Sequence, residues 1–311
     1  MAGRIFDKKN VILTRIDEAD LNSFLVDMDI DGGKPICLMK DFEEAIINAI
    51  PEYVFAQYTD SSIPQNDIMD RVREAANCIY KIKDYELMKK WLVDKDEEAH
   101  EELINSSITK RGEFGEILLH LLLREFKDTI PLISKVYFKD SASVPAHGFD
   151  AVHVSKNDDI LWLGESKLYD DGKEGIKALI EDLENHVNRD YLNSQFNIIR
   201  KNLGNHSIPD RDKWINILTN CNKMRDKIKL INIPMLCTYT NDIYKKFDDL
   251  DCADAITYHE ENVRGLKQLF DNQKKKKALY NVNIILLLFP IENKDEFVLN
   301  LHKRLWHMQG I

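Results

Sequence analysis

The chain has 311 residues, of which 44% are hydrophobic, enough to build a full core in one large domain plus a smaller region. Charged residues make up 31% and are spread along the chain, which excludes a disordered protein. The net charge of −10 argues against an autonomous DNA-binding protein, because affinity for nucleic acid comes largely from neutralising phosphates. It leaves room for an enzyme whose DNA is delivered by a partner. Cys37, Cys78, Cys221, Cys237 and Cys252 are odd in number and show no CxxC spacing, so a disulfide framework or structural zinc is not expected. The start of the chain lacks an apolar signal core, and the most apolar run, 284–291, is too short to span a bilayer. The expectation is a cytoplasmic protein with no membrane segment.

In chain order, β-like runs at Val11-Ile12-Leu13-Thr14 and Ile36-Cys37-Leu38-Met39 flank Asp31-Gly32-Gly33. Phe42, Ile46, Ile47 and Ile50 then keep the three-four spacing of one helix face, as do Val72, Ala75, Ala76, Ile79 and Tyr80. The acidic stretch from Asp94 to Glu102 reads as a solvated face or a boundary. A helix is predicted from near Thr109 to Phe126, with Ile117, Leu118, Leu121 and Leu122 on its apolar side. Three strands follow, at 135–138, 149–154 and 160–165; the last two are joined by the short polar link 155–159, which suits a hairpin. A long helical stretch runs from Ile176 through Val187 to Ile199. Buried strands are expected at 231–239 and 282–289, and an amphipathic helix from Lys294 to Met308, packed by Phe297, Val298, Leu301 and Leu305. This order makes an α/β fold around a mixed sheet. Residues 1–105 form an α+β region, partner-facing or regulatory, and 106–311 the second domain.

The chemistry concentrates at Gly148-Phe149-Asp150 and Leu163-Gly164-Glu165-Ser166-Lys167. Fifteen residues separate Asp150 from Glu165, enough for one hairpin, so two adjacent strands would present two carboxylates to the same point. Lys167, two residues beyond Glu165, projects to the same side of an extended chain. Clustered carboxylates repel unless they share a cation, and hard oxygen ligands favour Mg²⁺ or Mn²⁺. That set suits phosphodiester hydrolysis, with a lysine to offset charge on the phosphate. Acid-x-Lys triplets also occur at Asp7-Lys8-Lys9, Glu125-Phe126-Lys127, Asp171-Gly172-Lys173 and Glu292-Asn293-Lys294. None of these closes an apolar strand with a second carboxylate one hairpin upstream.

A further carboxylate is expected from the preceding helix. Arg111-Gly112-Glu113-Phe114-Gly115-Glu116 places two glutamates near the helix start, where acids also complement the dipole. Glu116 is preferred, with Glu113 in reserve, and the two glycines would let the helix approach the sheet edge closely. His147 and His153 bracket Asp150 and read as structural more readily than as ligands. Tyr169 is an exposed or base-stacking tyrosine, and Lys274–Lys277 a solvated run or a DNA or partner patch.

Glu116, Asp150 and Glu165-Ser166-Lys167 resemble the helix acid and Asp…Glu-x-Lys core of the PD-(D/E)XK nuclease superfamily. Within it, Arg111–Glu116, His147-Gly148-Phe149-Asp150-Ala151 and Gly164–Lys167 are similar to the HamA family, nuclease subunits of Hachiman antiphage defence. The likeness of motifs covers about 105–170. Phe149 stands where the superfamily name shows proline.

The resemblance implies a restriction-endonuclease-like mixed sheet flanked by helices. It implies metal binding by Asp150, Glu165 and Glu116, with Mg²⁺ or Mn²⁺ as cofactor and catalysis by Lys167 alongside these acids. It also implies a superfamily 2 helicase partner, HamB-like, with DNA as the substrate degraded on infection or DNA damage. The alternative is a catalytically silent nuclease-fold subunit that scaffolds or regulates the helicase. A restriction-type enzyme with its own sequence recognition is disfavoured by the acidic charge.

Overall fold

The computed structural model describes residues 11–55, 67–133, 148–203, 211–220, 223–274 and 282–310. The first segment holds β1 (Ile12–Asp17), β2 (Leu21–Val26), β3 (Met28–Asp31), β4 (Lys34–Cys37), α1 (Met39–Asn48) and α2 (Ile50–Phe55). The second holds α3 (Ile68–Ile79), α4 (Tyr85–Lys89), α5 (Glu97–Ile104), α6 (Glu113–Phe126) and β5 (Thr129–Ile133). Then come β6 (Ala151–Ser155), β7 (Leu161–Tyr169), α7 (Gly172–His186), α8 (Arg189–Leu203), α9 (Arg211–Asn220) and α10 (Met224–Ile228). The chain continues through β8 (Ile231–Thr240), α11 (Ile243–Lys246), α12 (Ala253–Gln273), β9 (Asn283–Ile291) and α13 (Lys294–Gly310).

Seven of the described strands form one sheet in the order β1-β2-β9-β8-β7-β6-β5. The four central strands, β2, β9, β8 and β7, run parallel, while β1 at one side and β6 and β5 at the other pair antiparallel. Parallel strands need both faces covered, and β9 shows how its sequence meets that demand. Ile285, Leu287 and Phe289 enter one core with α1, α2, α3, α6 and α13. Ile284, Leu286 and Leu288 enter the other with α7, α8, α9 and α12. The mixed α/β expectation holds. Residues before 105 share the sheet and the core with the rest: β2 hydrogen-bonds β9, and Phe42 of α1 stacks on Phe289 at 5.0 Å.

Several expectations shift in detail. The Asp31-Gly32-Gly33 signal is the turn of the small β3–β4 hairpin, where Gly32 and Gly33 take φ of 57° and 80°, open to glycine without strain. The acidic stretch is the solvated face of a helix: Glu97, Glu98, Glu101 and Glu102 are exposed on α5, and Asp96 caps it, accepting from the N–H groups of Glu98 and Ala99. The long helix predicted after Ile176 is two helices, α7 and α8, and Asn188 caps the second by accepting from Tyr191 N–H at 2.9 Å. The strand predicted at 135–138 lies outside the described residues, as do His147, Cys221 and three of the four lysines of 274–277. Among the described residues, no helix is long and apolar enough to cross a membrane.

One fold contact carries a pH prediction. His259 of α12 is buried with Nε2 3.0 Å from Ser23 Oγ of β2. Burial, with Arg15 adding to it, pulls its pKa from 6.5 down to about 4. The unfolded chain therefore takes up a proton that the folded chain refuses, so stability from His259 is complete above pH 6.5 and is lost as pH falls toward 4. His259→Gln should match wild type near pH 7 and be relatively more stable near pH 4, by roughly 2–3 kcal/mol. Urea denaturation across that range checks it; parallel pH profiles would refute it.

Candidate active site

β6 and β7 form the predicted hairpin, with Ala151 across from Gly164; Asp150 immediately precedes β6 and Glu165 follows Gly164 in β7. The Asp150 N–H donates to Gly164 O at 2.8 Å, one residue off the register of the hairpin, so the chain bulges where it enters β6. Glu165 and Lys167 are two apart in β7 and share a face, and the charge of Asp150 acts on both. The structure thus brings Asp150, Glu165 and Lys167 together. Asp150 is held by Ser166, whose backbone N–H and Oγ donate to Oδ2 at 2.9 and 3.0 Å.

Glu165 is only 3% exposed. Burial raises its pKa from 4.5 to about 8; the His186 hydrogen bond opposes the rise, and the charges of Asp150 and Asp182 add to it. Lys167 behaves in the opposite way. Burial works against its ammonium, but the hydrogen bond to Asp182 and the fields of Asp182, Asp150 and Glu165 outweigh it and raise its pKa. The lysine stays charged within an acidic cluster.

Two of these neighbours, Asp182 and His186, come from α7 and were not anticipated. Asp182 forms an ion pair with Lys167 Nζ, and His186 Nδ1 lies 2.5 Å from Glu165 Oε1. The ring of His186 stacks on Tyr191 at 4.4 Å and meets the edge of Phe149 at 5.7 Å. A sequence signal existed: an acid and a histidine four apart on the helix that follows Glu165-Ser166-Lys167.

The helix acid lies on α6, which packs on the other face of the sheet. A Cβ added at Gly115 would sit 3.6 Å from Ser166 Oγ, an ordinary contact, and one at Gly112 would meet nothing within 4 Å, so Gly115 faces the strand but the expected close approach through two glycines is not seen. At about 100° per residue, Glu116 is a quarter-turn from Gly115, whereas Glu113 points nearly away from the sheet. Glu113 pairs with Arg111 at 3.1 Å, and Glu116 accepts from Tyr53 OH at 3.2 Å. This geometry favours Glu116 over Glu113 as the acid nearer the strand. Tyr53, from the N-terminal segment, is a further contact that no motif announced.

His153 is structural, as expected. It is buried, with Nε2 3.1 Å from His120 Nδ1 and Nδ1 2.8 Å from Thr129 Oγ1. Tyr169 ends β7 with 39% exposure. Lys274 caps α12 with its Nζ 5.6 Å from the Phe270 ring centre. The described cysteines are free thiols.

Among the described residues, no three His, Cys, Asp or Glu side chains are grouped so as to hold a metal ion between them. The donor chemistry still suits a hard cation: the Asp150 carboxylate acts on that of Glu165, and Asp182 adds its charge. None of the curated proteins matches the chain. A model of the HamA family matches residues 5–305 of the 311. The chain belongs to the HamA family, a component of Hachiman antiphage defence.

Proposed function

We propose that this chain is a Mg²⁺-dependent DNA nuclease with a PD-(D/E)XK-like core, acting with a helicase partner in antiphage defence. The observation that carries the reading is the clustering of the Asp150 and Glu165 carboxylates with the Lys167 ammonium, each acting on the others' charge. The order α6, β5, β6, β7, α7, β8, an antiparallel hairpin followed by a parallel strand, is the arrangement such a core would have.

Asp150 and Glu165 are the residues that would hold the cation. Mg²⁺ is commonly bound through one or two carboxylates with water in its other positions, so a third protein ligand is not required. Once bound, it would polarise the phosphate and lower the pKa of bound water. Ser166 orients Asp150, and the Lys167 ammonium would offset charge that builds on the phosphate oxygens. Glu116 supports from the far side of Ser166.

The charge distribution also supports a polyanionic substrate. Between Arg189 and Lys229 there are nine Lys and Arg against four Asp, in a chain of net charge −10. This segment adjoins the site through Tyr191 on His186, and α10 lies beside α8, with Lys227 Nζ 2.7 Å from Asn193 Oδ1. Arg200, Lys201, Lys223 and Arg225 are exposed there. Arg200→Glu/Lys201→Glu should weaken DNA binding and flatten its salt dependence by roughly one to two units in log–log slope. Fluorescence anisotropy at several salt concentrations tests this, and an unchanged slope would remove these residues from the DNA path.

The test of the function is degradation of plasmid and linear DNA in Mg²⁺ and ATP, with and without the co-encoded helicase. Cleavage that needs the intact acids supports the nuclease. Helicase binding without cleavage in any condition would favour a silent regulatory subunit, a reading consistent with the engagement of Glu165 by His186.

A further inference from the structure

One helix touches both chemistry-bearing residues of β7 at once. Asp182 and His186 are four apart and share a face of α7, while Glu165 and Lys167 are two apart and share a face of β7. The two pairs meet in register: Asp182 with Lys167 Nζ, and His186 Nδ1 with Glu165 Oε1 at 2.5 Å. Each of the two long side chains is fixed by its own partner, so neither is free to sample its rotamers.

The supports behind this clasp are rigid. Tyr191 and Phe149 pin the His186 ring from its face and its edge. The body of α7 is anchored through buried Ile176, Leu179 and Leu183. At its start, a Cβ on Gly172 would come within 2.9 Å of Tyr239, and one on Gly175 within 2.5 Å of Cys237. The helix therefore has little room to slide along the strand.

Stability does not account for the clasp. The Asp182 and Lys167 side chains are 22% and 25% exposed, and a partly exposed ion pair contributes only about 0–1 kcal/mol. Burying Glu165 costs the fold more than an apolar residue in its place would. An arrangement that is costly at Glu165 and nearly neutral at Lys167, yet doubly matched, is better explained by what the two groups do.

We infer that Asp182 and His186 are positioning residues of the nuclease site, His186 orienting the Glu165 carboxylate toward a divalent cation and Asp182 aiming the Lys167 ammonium. The inference rests on the nuclease reading above. Loss of an outer partner of a metal-binding carboxylate typically weakens binding 10- to 100-fold, which separates this role from a merely structural one.

The experiment uses the full chain, with Mn²⁺ titrated by calorimetry and DNA cleavage followed under saturating and limiting substrate. His186→Ala should weaken Mn²⁺ binding by roughly 10- to 100-fold, and His186→Gln, which keeps an N–H donor, should recover part of it. Asp182→Asn should leave Mn²⁺ binding unchanged and lower kcat with little change in KM, and Asp182→Glu should restore kcat. Melting curves identify any variant that has lost its fold, and the conservative members of each pair then decide. Wild-type Mn²⁺ affinity in His186→Ala together with wild-type kcat in Asp182→Asn would overturn the inference alone. A wild-type chain that neither binds Mn²⁺ nor cleaves DNA would overturn the nuclease reading and the inference with it.

Discussion

Glu165→Gln and Lys167→Met should each abolish DNA cleavage, yet move stability differently. Lys167 places its ammonium among Asp150, Glu165 and Asp182. Removing such a preorganised charge from a site of developing negative charge costs on the order of 10²–10³-fold in rate. Glu165→Gln removes one of two neighbouring carboxylates, so it should lose cation binding as well as turnover. For stability the carboxylate is a burden: burial raises its pKa to about 8, which means that the folded state disfavours the ionised form. A neutral, isosteric amide should therefore stabilise the cation-free protein near pH 7 by roughly 2–3 kcal/mol, and its melting temperature in EDTA should rise. Lys167→Met leaves Asp182 without its cation at a partly exposed position, an effect within about 1 kcal/mol. Plasmid degradation and thermal melts on the same preparations read both properties. Variants that cleave like wild type would remove these residues from the chemistry. A Gln variant that melts lower would show that Glu165 is held for the fold.

What was legible in the sequence was whatever depends on local period and short spacing. Fifteen residues with a polar centre made a hairpin, with Asp150 at the entry to one strand and Glu165 within the other. The apolar runs that became β8 and β9 were equally plain, because a parallel strand buried on both faces reads as continuous hydrophobicity. β2 obeys the same rule but was missed: Asn22 and Ser23 interrupt its run, the first donating back to Asp17 across the β1–β2 turn and the second meeting His259 of α12. β5 was missed because it is short and contains Pro131, tolerated at the outer strand of the sheet. The longest described helix, α12, carries a mixed surface whose buried Val263, Leu266 and Phe270 make sense only against the sheet. At the candidate site, spacing named the strand residues, whereas it did not name Asp182 and His186. Their roles depend on where α7 lands across β7, and that landing is fixed by long-range packing.

That packing can be tested at a single atom pair. In an exposed helix interior, Gly→Ala is stabilising by about 1 kcal/mol, so Gly175→Ala in α7 would ordinarily help. Here a Cβ at position 175 would stand 2.5 Å from Cys237 Sγ, in a buried seam between α7 and β8. Neither side can yield easily, because Cys237 lies in a central strand paired to both β7 and β9. Overpacking of this kind costs about 1–3 kcal/mol, enough to reverse the helix-propensity gain. Gly175→Ala should therefore lower stability in urea denaturation. Adding Cys237→Ala should recover part of the loss, so that the double variant is less destabilised than the sum of the two single ones. Cleavage should follow the same pattern although neither residue touches the site: α7 forced away from β7 carries Asp182 and His186 out of register with Lys167 and Glu165. Strict additivity would mean that the seam has room after all. Recovery of stability without recovery of cleavage would separate the seating of α7 from the chemistry and leave the clasp as packing alone.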